Sequence, residues 1–210
     1  MATENSIKPI FSRNDVIDKM AFLNWRMESC EIQNVINLAE GYFQSTILLT
    51  ESCLQTNTDK RADIFIFPIL MCLNHGIELY LKANILILNK LLNNNLKIDG
   101  THNLSQLFST LKARIKDLDG QKSLNTFEKE FNELSNYINE LIVKIKASPQ
   151  NDNMDFSRYP FGKKGESHFY VDTLSSEIDI ENLLLRIHIL FEKFSSKTEY
   201  FYYDRFEQQE

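Results

Sequence analysis

Residues 64–92 read IFIFPILMCLNHGIELYLKANILILNKLL, and the fold turns on this stretch. At about 100° per residue it is apolar almost all the way round a helix, while His75, Glu78, Lys82 and Asn89 fall within an arc of about 60°. Leu70, Leu73, Ile77, Leu81, Ile85 and Leu88 cover the neighbouring arcs. That pattern predicts the central helix of a bundle and not a surface helix. A Glu and a Lys one turn apart on such a helix are costly to bury unless paired, so they are either a closed structural pair or the floor of a site.

The flanking sequence supplies further helices. Upstream, Ile32, Val35, Ile36, Ala39, Phe43, Ile47 and Leu48 recur at helical spacing over 31–55, and Val16, Ile17, Met20, Phe22 and Leu23 give 14–27 an apolar face. Downstream, Asn93, Asn94 and Asn95 end the central helix and Asp99-Gly100 turns the chain. Thr101 or Asn103 can cap a helix reaching about residue 117. Asp119-Gly120 turns again, and 124–146 carries Phe127, Phe131, Leu134, Ile138, Leu141 and Ile145 on one face. A last helix starts near Ser175 or Ser176, and the aromatic tail after it packs on the bundle or on a second copy. Between 148 and 173 the pattern breaks: two short runs flank Gly162-Lys163-Lys164-Gly165, a small hairpin or ordered loop. The expected fold is all-α, an up-and-down bundle of about five helices with a short hairpin-like insertion before the last. Residues 1–12 are expected to be a flexible N-terminus and 13–206 a single helical domain.

Composition narrows the function classes. Six Gly and four Pro in 210 residues are few, which argues for long helices and against a β-sandwich. A formal charge of −6 excludes broad non-specific binding to a phosphate backbone but leaves room for a local basic pocket. Cys30, Cys53 and Cys72 form no C-x-x-C pair and read as reduced core thiols. The N-terminus lacks the apolar segment of a signal peptide, and His75, Glu78 and Lys82 interrupt the one span-like stretch. A cytoplasmic protein without membrane attachment is expected. There is no Gly-rich phosphate loop, no H-E-x-x-H, no nucleophile elbow and no Cys or His cluster with metal spacing, so neither metal nor cofactor is expected.

Four constellations can carry chemistry: His75-x-x-Glu78-x-x-x-Lys82, Thr101-His102-Asn103-Leu104, Ser157-Arg158-Tyr159-Pro160-Phe161, and the Lys163-Lys164 tip. Exposed, the Glu78–Lys82 pair would be a plain intrahelical ion pair worth about 0.3–0.5 kcal/mol. His75 alone suits a core or rim histidine, and His102 suits a residue that pins a helix-capping turn. Should the helix after Gly100 fold back beside the central one, His102 faces Lys82. Arg158, held beside a rigid Tyr-Pro bend, is suited to grip a phosphate or a carboxylate; its structural alternative is a pair with Glu78 or with an acid of the last helix. Lys163 and Lys164 also fit a solvated turn.

The run Phe67-Pro68, then His75-Gly76-Ile77-Glu78-Leu79-Tyr80-Leu81-Lys82-Ala83, then Gly100-Thr101-His102-Asn103-Leu104 and Arg158-Tyr159-Pro160 resembles the HEPN superfamily. It looks most like the bacterial HEPN-like proteins with a helix of the type E-L-x-L-K-A, a downstream H-x-L turn and a late R-Y-P. The resemblance covers about residues 65–161 through short motifs. It implies a helical bundle that pairs as a homodimer, and metal-independent RNA cleavage in toxin, stress or phage-defence systems. Nuclease-active members place an Arg four to six residues before a His, and none of the seven Arg residues here does so; Arg186 and His188 are two apart and on opposite sides of a helix. The implied site is therefore built from Glu78, Lys82, His102 and Arg158, with His75, Asn103, Tyr159, Lys163 and Lys164 lining the substrate. The expected function is binding or cleavage of RNA; the alternative is a non-catalytic dimeric module that engages a partner protein or a nucleotide.

Overall fold

The computed structural model describes residues 7–23, 31–94, 96, 100–146, 155–162, 164–171 and 176–209. Among them are five α-helices: α1 Glu31–Gln55, α2 Ala62–Leu91, α3 Leu104–Glu130, α4 Asn132–Lys146 and α5 Ile180–Glu199. The all-α bundle expected from the apolar periodicity is what the chain forms, and among the described residues strand pairing amounts to one isolated bridge. α5 runs on as a π-helical turn, Tyr200–Phe206.

The apolar stretch becomes α2 because its start is tied down: the Asn57 side-chain oxygen accepts from the Ala62 amide at 3.0 Å. Pro68 lies inside the helix and removes the amide that would bond the Ile64 carbonyl. At its far end Asn93 takes a left-handed conformation (φ 54), as an Asn-rich terminus predicts. α2 packs against α1, α3, α5, the π-helical turn and the short 3-10 turn Asp155–Ser157, so it is the axis of the bundle. Leu73, Ile77 and Leu81 have no accessible surface and Ile85 has 3 %. By length and composition α2 is also long and apolar enough to cross a bilayer, with 50 % of its most apolar window buried inside the bundle.

Aromatic packing holds α1 and α5 to this axis. Phe43 of α1 stacks on Phe191 with centroids 5.5 Å apart and meets Tyr80 edge-on at 5.6 Å. Phe127 and Phe131 stack at 4.4 Å, and Phe131 reaches Phe194 at 5.3 Å. Gly76 makes the α1–α2 approach possible, since a Cβ there would stand 2.8 Å from Phe43 Cδ2. Cys53 is buried and Cys72 half-buried, both as free thiols; Cys30 lies outside the described residues.

Several expected boundaries are corrected. Within the expected helix 14–27, the described residues 14–23 form a 3-10 turn, Ile17–Lys19, with Val16, Ile17, Phe22 and Leu23 exposed; 24–27 lie outside the described residues. An isolated short helix is marginal without a surface on which to bury its apolar face. The Asp119-Gly120 turn, by contrast, divides two helices as expected: the backbone leaves helical geometry at Gly120 (φ 79, ψ −178), and Phe108 meets Phe127 at 6.0 Å and Lys112 meets Glu128 at 3.3 Å, so α3 folds back on itself there. The last helix begins at Ile180 rather than near Ser175 or Ser176, because Asp179 caps it by accepting from the Asn182 amide at 3.0 Å.

The insertion before α5 is a minimal hairpin: Phe161 bridges Ser167, the Gly162 amide donates to the Glu166 carbonyl at 2.9 Å, and Gly165 turns with φ 83. The Tyr170 hydroxyl, 2.9 Å from the Phe156 carbonyl and 3.2 Å from that of Tyr159, staples the insertion onto the 3-10 turn. Phe156 in that turn is buried. Residues 157–159 are thereby held against α2.

Candidate functional site

Glu78 faces the start of α3 from the middle of α2, and it is 5 % exposed. Its Oε1 accepts from Lys82 Nζ at 2.7 Å, one turn along, and lies 3.0 Å from His102 Nδ1. His75 Nδ1 approaches the other oxygen at 3.8 Å, an ion-pair distance and not a hydrogen bond. Burial pushes the Glu78 carboxyl up, but His75, the hydrogen bond and charge of Lys82, and the His102 bond outweigh it and hold it down to about 2. At neutral pH Glu78 is therefore a carboxylate that can only accept, so the proton between it and His102 sits on Nδ1. Neutral His102 then has its lone pair on Nε2.

The turn before α3 sets that histidine. The Asn103 side chain caps α3 by accepting from the Gln106 amide at 3.0 Å, and Thr101 Oγ1 accepts from the Asn103 amide at 3.1 Å. His102 is thus clamped between two tied residues, while its side chain stays 64 % exposed. Its two expected roles coincide: it belongs to the capping turn and it reaches the acid of α2.

Met71, Asn74, His75, Glu78, His102, Ser157 and Arg158 enclose a small concavity of about 20 Å³, room for a water-sized group. Arg158 stands at its edge with its side chain 43 % exposed and its guanidinium 4.0 Å from Asp155 Oδ1. Neither Glu78 nor an acid of α5 takes that guanidinium among the described residues. Asn74 was not picked out from the sequence. It is 3 % exposed, its oxygen accepts from the Tyr137 hydroxyl at 2.6 Å, and its Nδ2 has no partner among the described residues. The signal was present: Asn74 is a polar residue on the otherwise apolar flank of α2.

The remaining candidates are placed as follows. Tyr159 is 61 % exposed next to Arg158, and Lys164 is exposed on the hairpin turn. Lys163 lies outside the described residues. Asn89, the far end of the polar line on α2, is turned to α3 instead, accepting from Arg114 Nε at 2.8 Å. Arg186 bonds both Glu133 and Glu140 and ties α5 to α4, while His188 is exposed on another side of α5. The described residues contain no cluster of three or more His, Cys, Asp or Glu suited to a metal.

No family model matches the chain, and no curated protein or solved structure does so either.

Proposed function

We propose that this chain is a HEPN-like protein that binds RNA and cleaves it without a metal, working in a toxin or defence system. The observation that carries the proposal is the pairing of an exposed His102, oriented by a buried and ionised Glu78, with an exposed Arg158 on the rim of the same concavity. Metal-free cleavage needs a base at the ribose 2′-hydroxyl, an acid at the leaving oxygen and a cation on the phosphate. His102 Nε2 faces outward as the base, or as the acid when protonated, with Glu78 stabilising the imidazolium. Arg158 grips the phosphate in a fork. Lys82 is committed to Glu78 and tunes it, which leaves the phosphate to Arg158. The family resemblance and the outward Tyr200 and Tyr203 support a homodimer.

Two features favour the alternative of a non-catalytic module, and a partner protein over a nucleotide: Glu78 is already satisfied by Lys82 and His102, and the concavity itself is too small for a nucleotide. Both variants His102→Ala and Arg158→Ala separate the two. If the site is catalytic, each abolishes cleavage of a fluorescent single-stranded RNA, and any toxicity on expression in cells, while the thermal midpoint stays within a few degrees because both side chains are exposed. Wild-type protein that neither binds nor cut the RNA, or variants that unfold, would overturn the proposal.

A further inference from the structure

A second polar pocket lies on the opposite side of α2. Tyr80 is about 200° round the helix from Glu78, and it lines a pocket of about 100 Å³ between α1, α5 and the π-helical turn. Glu40 and Glu199 flank this pocket, Tyr202 and Tyr203 supply aromatic walls, and Thr198 lies at its base. No base is among the residues that line it, and neither carboxylate has an ion-pair partner among the described residues. The Ser195 hydroxyl, 3.4 Å from Glu199 Oε1, is the contact that carboxylate makes.

Tyr80 is the independent observation. It is 2 % exposed, yet its hydroxyl makes no hydrogen bond among the described residues although it faces the pocket. The hydroxyl is not among the sealed polar atoms left without a partner, so it opens onto the pocket, where a ligand can take its hydrogen bond. Burial and the two carboxylates, Glu40 and Glu199, push its phenol up, so it stays protonated, and the carboxylates lie close enough for their charge to be felt there. Two unpaired acids, a tyrosine hydroxyl and aromatic faces make an environment that attracts a cation and repels phosphate.

We propose that this pocket binds the ammonium or guanidinium head of an organic cation, paired with Glu40 and Glu199 and hydrogen-bonded to Tyr80. The volume suits such a head and not a nucleotide, so the site is separate in chemistry and place from the Glu78 cluster. The head can come from a free amine or from an Arg or Lys side chain of another polypeptide; its recognition is the same.

Calorimetric titration of the full chain with putrescine, agmatine and N-acetyl-arginine-N-methylamide tests this, with potassium chloride at equal ionic strength as control. Saturable binding of at least one probe is expected, weakened at least ~10-fold by Glu40→Gln combined with Glu199→Gln. Tyr80→Phe should weaken it by about 2- to 10-fold, the loss of one hydrogen bond. Putrescine or agmatine binding best identifies a free amine as the source, and the blocked arginine binding best identifies a side chain. Silence from all three probes at millimolar concentration, or an equal response to potassium, overturns the proposal. So does binding that survives loss of both carboxylates, which are exposed and can be changed without disturbing the core. The same double variant leaves RNA cleavage at the Glu78 site intact, so the two proposals fail separately.

Discussion

Glu78 has pH-dependent consequences of a defined sign. Its carboxyl is held at about 2 in the folded chain against an ordinary 4.5, so its contribution to stability is present above pH 4.5 and is lost as pH falls toward about 2. At about 1.4 kcal/mol per pH unit the contribution is on the order of 3 kcal/mol. Urea midpoints of wild type and Glu78→Gln should therefore differ most at neutral pH and converge on acidification; a constant gap from pH 7 to 2.5 would show that Glu78 is not the group responsible. Gly76 is a second residue with a single physical role. Gly76→Ala forces its new methyl against Phe43, which has no accessible surface and little freedom to retreat, so a loss of about 1–3 kcal/mol is expected in chemical unfolding.

At the scale of elements, α2 carries the bundle and α3 folds back on itself at Gly120. Truncating Ile77 to Ala removes a side chain with no accessible surface and should cost about 2–5 kcal/mol through the cavity it leaves. A near-unchanged midpoint would place α2 on the surface, against its contacts with α1, α3 and α5. Gly120 adopts φ 79 and ψ −178, a region in which only glycine is unstrained. Gly120→Ala should lower stability by about 1–3 kcal/mol although a Cβ there meets nothing within 4 Å. Thermal scans of the variant test this directly: no loss would mean that the turn takes a side chain without strain. The division between 104–117 and 124–146 was legible in the sequence, because a glycine after an aspartate marks a turn. The chain reverses there, and the two halves pack on each other through Phe108 with Phe127 and Lys112 with Glu128.

For the whole molecule, the aromatic tail has divided roles. Phe201 and Tyr202 are buried in the bundle, Arg205 ties the tail to Asp119 at 2.7 Å, and Tyr200 and Tyr203 point outward. The proposed homodimer would have a mass of about 49 kDa, twice 24.6 kDa. Light scattering at high micromolar concentration should find that mass; a value near 25 kDa would count against the dimer.

The helical class and the identity of the axial helix were legible in the sequence, because an apolar run with a 3-4 repeat and few Gly or Pro leaves the backbone one economical way to satisfy its amides while burying that surface. The Glu78–Lys82 contact was legible for the same reason, since both lie on one helix. The convergence of His102 and Arg158 on that line depends on contacts between distant segments: the capped turn before α3 brings His102 to Glu78, and the Tyr170 staple sets the 3-10 turn that carries Arg158. Periodicity speaks only to neighbours along one helix. It therefore could not reveal that Asn74 would be left with an unpartnered nitrogen beside His102, nor that Glu40, Tyr80 and Glu199, from three helices, would meet on the far side of α2. Those juxtapositions were decided by packing, in which burial of the apolar faces sets the helix positions and the polar groups take whatever partners the packed faces leave them.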